Sequence, residues 1–305
     1  MSAKGVDVKQ KNMARKIEES FFYELKTGTL KPLLEYVQND DTLDMELRGN
    51  SVMIYYRGGK ILEIKDKSYK FSGLNRKYLL DKKNIESPSL ATFASYFPQA
   101  KHIIDYYVLN KKNHLWEKEI QQRIVQENNY SPNALDTDFF VIDVEYQDNS
   151  IGSRADIVAL RWCSNASARG LENGYLPKIT IFEVKQGKGS ISGKSGMSSH
   201  LDDFNAKTKV DDFKQDMIAV FKQKRELGLI IAFNENKYEV TEVENEIDFV
   251  FLLTNYKSAS GKLEQELEKM DSCKFIYANP MGYGLYAQNI IEKEEFKKRF
   301  FQPKH

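Results

Sequence analysis

The feature that most limits the fold is the order in which hydrophobic periods succeed one another between residues 113 and 254. The stretch HLWEKEIQQRIVQENN places Trp116, Ile120 and Ile124 at i, i+4 and i+8, a helix stopped by Asn128-Asn129. Three β-rich runs follow: DFFVIDVEYQ (138–147), RADIVALRW (154–162) and ITIFEVK (179–185). The turn-rich link DNSIGS suits an antiparallel hairpin between the first two, and the polar loop CSNASARGLENGYLP separates the second from the third. Residues 210–227 then carry Val210, Phe213, Met217, Val220, Phe221 and Leu227 on one helical face, with Gly228 as the stop. Two more β-rich runs, Leu229–Phe233 and Ile247–Thr254, complete the series. Helix, hairpin, strand, helix, strand predicts an α/β protein with a mixed central sheet flanked by helices on both faces.

Upstream the texture differs. Residues 9–26 read as an amphipathic helix ended by Thr27-Gly28. From Leu43 to Phe71, short alternating runs are punctuated by Gly49-Asn50, Gly58-Gly59 and Asp66-Lys67, which predicts a four-strand antiparallel meander packed on that helix. Pro88 and Pro98 bracket a helical piece leading into the second helix. The expected division is an N-terminal helix-plus-meander region over 1–100 and a second domain over 101–305. Residues 255–305, with the aromatic FIYANPMGYGLYAQ, read as added strands and a terminal helix without a functional role of their own.

Composition narrows the chemistry. With 41% hydrophobic and 12% aromatic residues the chain builds a substantial core. Its longest apolar stretches fall far short of the roughly 20 residues that span a bilayer, so no membrane partner is expected. The charged N-terminus without an apolar segment does not read as a secretory signal. Cys163 and Cys273 alone support neither a disulfide framework nor a thiolate zinc site, which makes the cytoplasm the expected compartment. Histidines scattered at 102, 114, 200 and 305 leave oxygen as the main ligand for any metal. The net charge of +1 by itself predicts no polyanionic partner, although the stretch from Lys178 to Lys194 and the C-terminal tail are locally basic.

KITIFEVKQGKGSISGKSG (178–196) runs from an apolar strand into a Lys/Gly/Ser loop. As a phosphate-cradling loop it fails: Gly193-Lys194-Ser195 supplies half of the pattern, but the position five before Gly193 is Lys188. Glu183 and Lys185, at i and i+2 of a strand, emerge on one face. Alone they would be an ordinary surface pair worth at most about 1 kcal/mol. Asp156 changes their meaning. It is the one acid in the apolar run ADIVAL, and a carboxylate there needs a cation or hydrogen-bond donors to meet its desolvation cost.

Asp156, followed after residues 157–182 by Glu183-Val184-Lys185, resembles the signature of the PD-(D/E)XK, or restriction-endonuclease-like, nucleases, with Ala155 where the motif has proline. The similarity extends over about 113–255 in element order. It implies a restriction-endonuclease-like core, hydrolysis of phosphodiesters in nucleic acid (DNA preferred), and Mg²⁺ or Mn²⁺ held by Asp156, Glu183, the Val184 carbonyl and an acid from the preceding helix. Asp156, Glu183 and Lys185 would be the catalytic residues. On the helical wheel Glu117 and Glu119 lie at opposite margins of the apolar stripe; Glu119 is preferred for its Gln122 neighbour, with Asp143 and Glu145 as competitors. Gln186 and His200 are candidate accessory groups, and Lys188, Lys194, Lys207 and Lys209 candidate phosphate contacts. Region 1–100 would then bind DNA or support a homodimer, and restriction, phage defence or repair would be fitting roles. The alternatives are a non-catalytic nucleic-acid-binding module of the same fold and a protein-interaction domain whose acids and lysines form only surface pairs.

Overall fold

The computed structural model describes residues 14–66, 68–80, 85–110, 116–148, 153–165, 169, 174–186, 191–193, 196–206, 210–231, 239–254, 261–278 and 282–301. The first helix, α1 (Glu19–Lys26), buries Phe21, Phe22 and Leu25. Of the helix expected over 9–26, residues 9–13 lie outside the described residues, and residues 15–17 are not helical because their backbone is satisfied elsewhere: the Arg15 amide donates to Asp216 and the Ile17 amide to the Gln223 side chain. A helix not foreseen, α2 (Lys31–Gln38), follows with Pro32 in its first turn and Leu33, Leu34 and Val37 buried.

The meander forms as expected. Strands β1 (Leu43–Leu47), β2 (Ser51–Tyr56), β3 (Gly59–Lys65) and β4 (Lys70–Ser72) pair antiparallel in sequence order. The tip between β2 and β3 has both Arg57 and Gly58 at positive φ, the geometry of a tight hairpin whose twist matches its strands. Helix α3 (Phe93–Asn110) contains Pro98 instead of ending at it. Pro98 and Ala94, whose carbonyl it cannot meet, are both exposed, so the lost bond does not leave a buried polar group.

The second sheet has six strands in the order β10-β9-β8-β7-β6-β5. Strands β5 (Phe139–Asp148), β6 (Ser153–Arg161) and β7 (Lys178–Gln186) are mutually antiparallel. β8 (Asp248–Thr254) and β9 (Lys274–Ala278) continue parallel to β7, and β10 (Ile291–Glu292) closes the edge antiparallel. Helix α4 (Trp116–Val125) packs on β5 and β7, with Ile120 and Ile124 joining Phe139, Phe182 and Val184 in one core. Helices α5 (Met197–Asn205) and α6 (Val210–Glu226) lie between β7 and β8 in sequence, α5 against β6 and β8 and α6 against β5. Two further helices, α7 (Gly261–Leu267) and α8 (Lys293–Phe301), accompany the added strands of the C-terminal segment. The chain is thus mixed α/β, and among the described residues no helix is long and apolar enough to cross a membrane.

Leu229–Ile231, expected as the start of a strand, are not one. Gly228 at positive φ caps α6, the Leu229 amide donates back to the Lys224 carbonyl and the Ile231 amide to the Asn129 carbonyl. Leu229 and Ile230 are buried all the same, which explains why composition alone resembles a strand. Asn128 and Asn129, beyond α4, do more than stop a helix. Both are fully buried: Asn129 pairs through its amide with both backbone groups of Val141, and Asn128 ties Ile124 to Tyr283 and Leu285.

One apolar core spans both sheets, running from Phe21, Leu33, Ile54 and Leu62 to Phe140, Leu160, Ile181 and Phe221. A buried charge network crosses the same boundary. Glu46 on β1 accepts from Lys224 on α6 at 2.8 Å, while Arg48 binds Asp143 and the Val144 carbonyl on β5, and Arg15 meets Asp143 at 3.0 Å. The meander and the six-strand sheet are therefore held by groups that each leave a buried charge uncompensated if separated.

Candidate active site

The site lies where the six-strand sheet forks. β6 and β7 pair from Arg161↔Lys178 to Ile157↔Phe182 and then part company. β6 stays with β5 as far as Asp148↔Ser153, and β7 stays with β8 as far as Gln186↔Thr254. At the parting, a side chain takes over from the ladder: Asp156 Oδ2 accepts the Val184 amide at 2.9 Å. Strand alternation sets Asp156 on the face of Val158 and Leu160, and Glu183 and Lys185 on that of Ile179 and Ile181; these four apolar residues share one core. Val184 turns the other way, into the core beneath α4.

Asp156, Glu183 and Lys185 are each less than a tenth exposed. Lys185 Nζ donates to Glu183 Oε1 at 2.8 Å, and His200 Nε2 from α5 lies 3.2 Å from the same oxygen. Burial, then the charges of Glu183 and Glu117, push the Asp156 carboxyl up to about 8, against the Val184 amide and Lys185. Burial also raises Glu183, with Glu117 adding and Lys185 and Arg154 opposing. Desolvation dominates in both; like-charge crowding comes next for Asp156, whereas for Glu183 the neighbouring Lys185 comes next and opposes the rise. Gln186 is half-buried at the end of β7.

The helix acid in electrostatic contact with both carboxylates is Glu117. Glu119, the acid preferred on the helical wheel, is occupied elsewhere: it accepts from Arg57 at 3.1 Å and from Arg123 at 3.1 Å, beside a cavity of about 330 Å³. The reason is tertiary. Gly58 at the hairpin tip lies so close that a Cβ there would stand 2.5 Å from Lys118, which sets Arg57 against the Glu119 side of α4. Asp143 is fully buried and bound to Arg15 and Arg48, so it too belongs to the inter-sheet network. Glu145 bridges Lys118 and Arg154. Lys188, Lys194, Lys207 and Lys209 lie outside the described residues.

Among the described residues no three His, Cys, Asp or Glu side chains stand together as a preformed metal cage. The donor set that does meet is two oxygen-bearing acids whose mutual repulsion a cation would relieve, with the Val184 backbone between Glu183 and Lys185. Hard divalent ions take such oxygens and complete their shell with water. Lys185 and His200 both sit on Glu183, so they compete with a cation for that carboxylate as well as orienting it. The comparisons found no matching protein-family model, no matching curated protein and no matching solved structure.

Proposed function

We propose that the chain is a metal-dependent nuclease of the PD-(D/E)XK kind, with a restriction-endonuclease-like core, hydrolysing phosphodiester bonds in nucleic acid with DNA as the preferred substrate. The observation that carries the reading is the meeting of Asp156 with Glu183-x-Lys185 at the fork between β6 and β7. Hairpin β5–β6, antiparallel β7 and parallel β8 and β9 supply the element order that the motif requires. In this reading Asp156, Glu183 and the Val184 carbonyl hold Mg²⁺ or Mn²⁺, with Glu117 adding negative potential from the helix. The ion would polarise a phosphoryl oxygen and lower the pKa of a bound water.

The chain's own groups do the rest. The Val184 amide fixes the Asp156 carboxylate by a hydrogen bond across the opened ladder. Lys185, anchored on Glu183, supplies an ammonium that offsets charge building on the phosphate and orients the attacking water. His200 steadies the same carboxylate from α5.

Purified protein incubated with plasmid, linear duplex, single-stranded DNA and RNA, in Mg²⁺, Mn²⁺ or EDTA, tests this. Cleavage should need the metal and fall by about 10²-fold or more in Asp156→Ala and Lys185→Ala. Wild type and Asp156→Ala behaving alike on every substrate ends the proposal. Deep burial of Asp156, Glu183 and Lys185 favours a second reading, a nucleic-acid-binding module of this fold that cuts nothing. Salt-dependent binding without cleavage in the same assay selects it.

A further inference from the structure

We infer that Arg154 and Lys118 form a phosphate clamp on the rim of the candidate site, each contacting the nucleic-acid backbone beside the bond to be cut. The inference rests on the proposed nucleic-acid substrate and goes beyond it by naming the cations that hold it.

Arg154 is two residues before Asp156 on β6, so strand alternation sets both on the same face. Lys118 follows Glu117 on α4. The two come from different elements yet share one carboxylate: Lys118 Nζ donates to Glu145 Oε2 at 2.6 Å, and Arg154 pairs with the same oxygen. Both cations keep about two-fifths of their side chains exposed, while Glu145 keeps 18%. A half-buried acid therefore holds two partly exposed cations side by side.

Their position relative to the acid pair is equally specific. Arg154 acts on the charge of Glu183, and Lys118 lies within electrostatic reach of Asp156, Glu117 and Arg154. A polyanion approaching Asp156 and Glu183 would meet two carboxylates first unless cations flank them. Arg154 and Lys118 are those flanking cations, and a planar guanidinium is suited to a phosphate's paired oxygens.

Glu145 carries the marks of a built holder. Its backbone is at φ 56, a left-handed conformation costly for a residue with a side chain, and its Oε1 is buried without a hydrogen-bond partner among the described residues. Gln121, 2% exposed, leaves its amide nitrogen likewise unmatched and lines the same small cavity as Lys118 and Glu145. A cluster serving only stability would be expected to satisfy these groups. Glu145 keeps the cations aimed and carries one charge against their two, so it does not neutralise both.

The test is equilibrium binding of a fluorescent duplex DNA by the full chain in EDTA, across a series of salt concentrations. Arg154→Ala and Lys118→Ala should each lower the slope of log K against log salt by about 0.9, which at 0.1 M salt is about an eightfold loss of affinity. Arg154→Lys, which keeps the charge and guards against a folding defect, should keep the slope. Slopes equal to wild type in both alanine variants overturn the clamp while leaving the nuclease reading intact. Wild-type protein that binds with the expected slopes but never cuts in Mg²⁺ retains the clamp and removes the nuclease. Wild-type protein that does not bind in EDTA overturns the clamp, and the nuclease reading is then decided separately by cleavage in Mg²⁺.

Discussion

Replacing Asp156 by asparagine should abolish cleavage and make the folded protein more stable. Asparagine keeps the shape and an oxygen to accept the Val184 amide now bonded at 2.9 Å, but it removes a charge buried against Glu183 and Glu117. Burial first, and those two acids second, raise the Asp156 carboxyl from 3.8 to about 8. A folded-state pKa above the unfolded one means that the group costs nothing below the unfolded value and subtracts stability as pH rises through the folded value. At about 1.4 kcal/mol per unit, the full cost above pH 8 is on the order of 5 kcal/mol. The new amide must itself be desolvated, and protein interiors respond with an effective dielectric near 20, so a net gain of about 1–3 kcal/mol is expected. Thermal denaturation in EDTA at pH 8 should then show Asp156→Asn melting about 3–10 °C above wild type. The gap should close toward pH 4. Added Mg²⁺ should raise the wild-type midpoint and leave the variant's unchanged, because only the native acid pair gains by binding it. An Asp156→Asn protein that melts at or below wild type at pH 8 refutes the claim that these acids are held together against their mutual repulsion.

Lys224→Met should destabilise by about 3 kcal/mol, since it leaves the fully buried Glu46 only the longer contact to Arg48 at 3.5 Å, and Glu46→Gln/Lys224→Met should recover most of that loss in chemical denaturation. Burial, opposed by Lys224, already raises Glu46 to about 8, so without the lysine the carboxyl protonates more readily and the deficit should shrink at acidic pH. A single variant within about 1 kcal/mol of wild type would show that the inter-sheet network is not what couples the meander to the sheet. Gly58→Ala places a Cβ 2.5 Å from Lys118 at a backbone φ of 72, so it should lift the hairpin from α4 and cost about 2 kcal/mol or more in the same measurement. Wild-type stability in that variant would mean that the contact yields without cost.

The sequence by itself determined most of the strands and the residues of the candidate trio. Period-2 runs with turn pairs specify the meander, because only one register buries the apolar face. The order of periods after residue 113 specifies a mixed sheet with covered faces. Desolvation cost said only that Asp156, in an apolar run, needs a partner; it was the resemblance to the PD-(D/E)XK signature that paired it with Glu183-x-Lys185, and the structure joins them across a single hydrogen bond. What local pattern left open depended on neighbours distant in the chain. Residues 15–17 look helical but spend their amides on Asp216 and Gln223. Leu229 and Ile230 look like a strand but are core residues of a helix cap. Glu117 and Glu119 are equivalent on a helical wheel, and only the docking of Arg57 through Gly58 assigns Glu119 to the hairpin and leaves Glu117 to the acids. Arg154 and Lys118 carry no signal in sequence at all, since what distinguishes them is a shared carboxylate contributed by a third element. Periodicity reports how a residue faces its own helix or strand, whereas the pairing of charges depends on which elements meet, and that is decided by the packing of the whole chain.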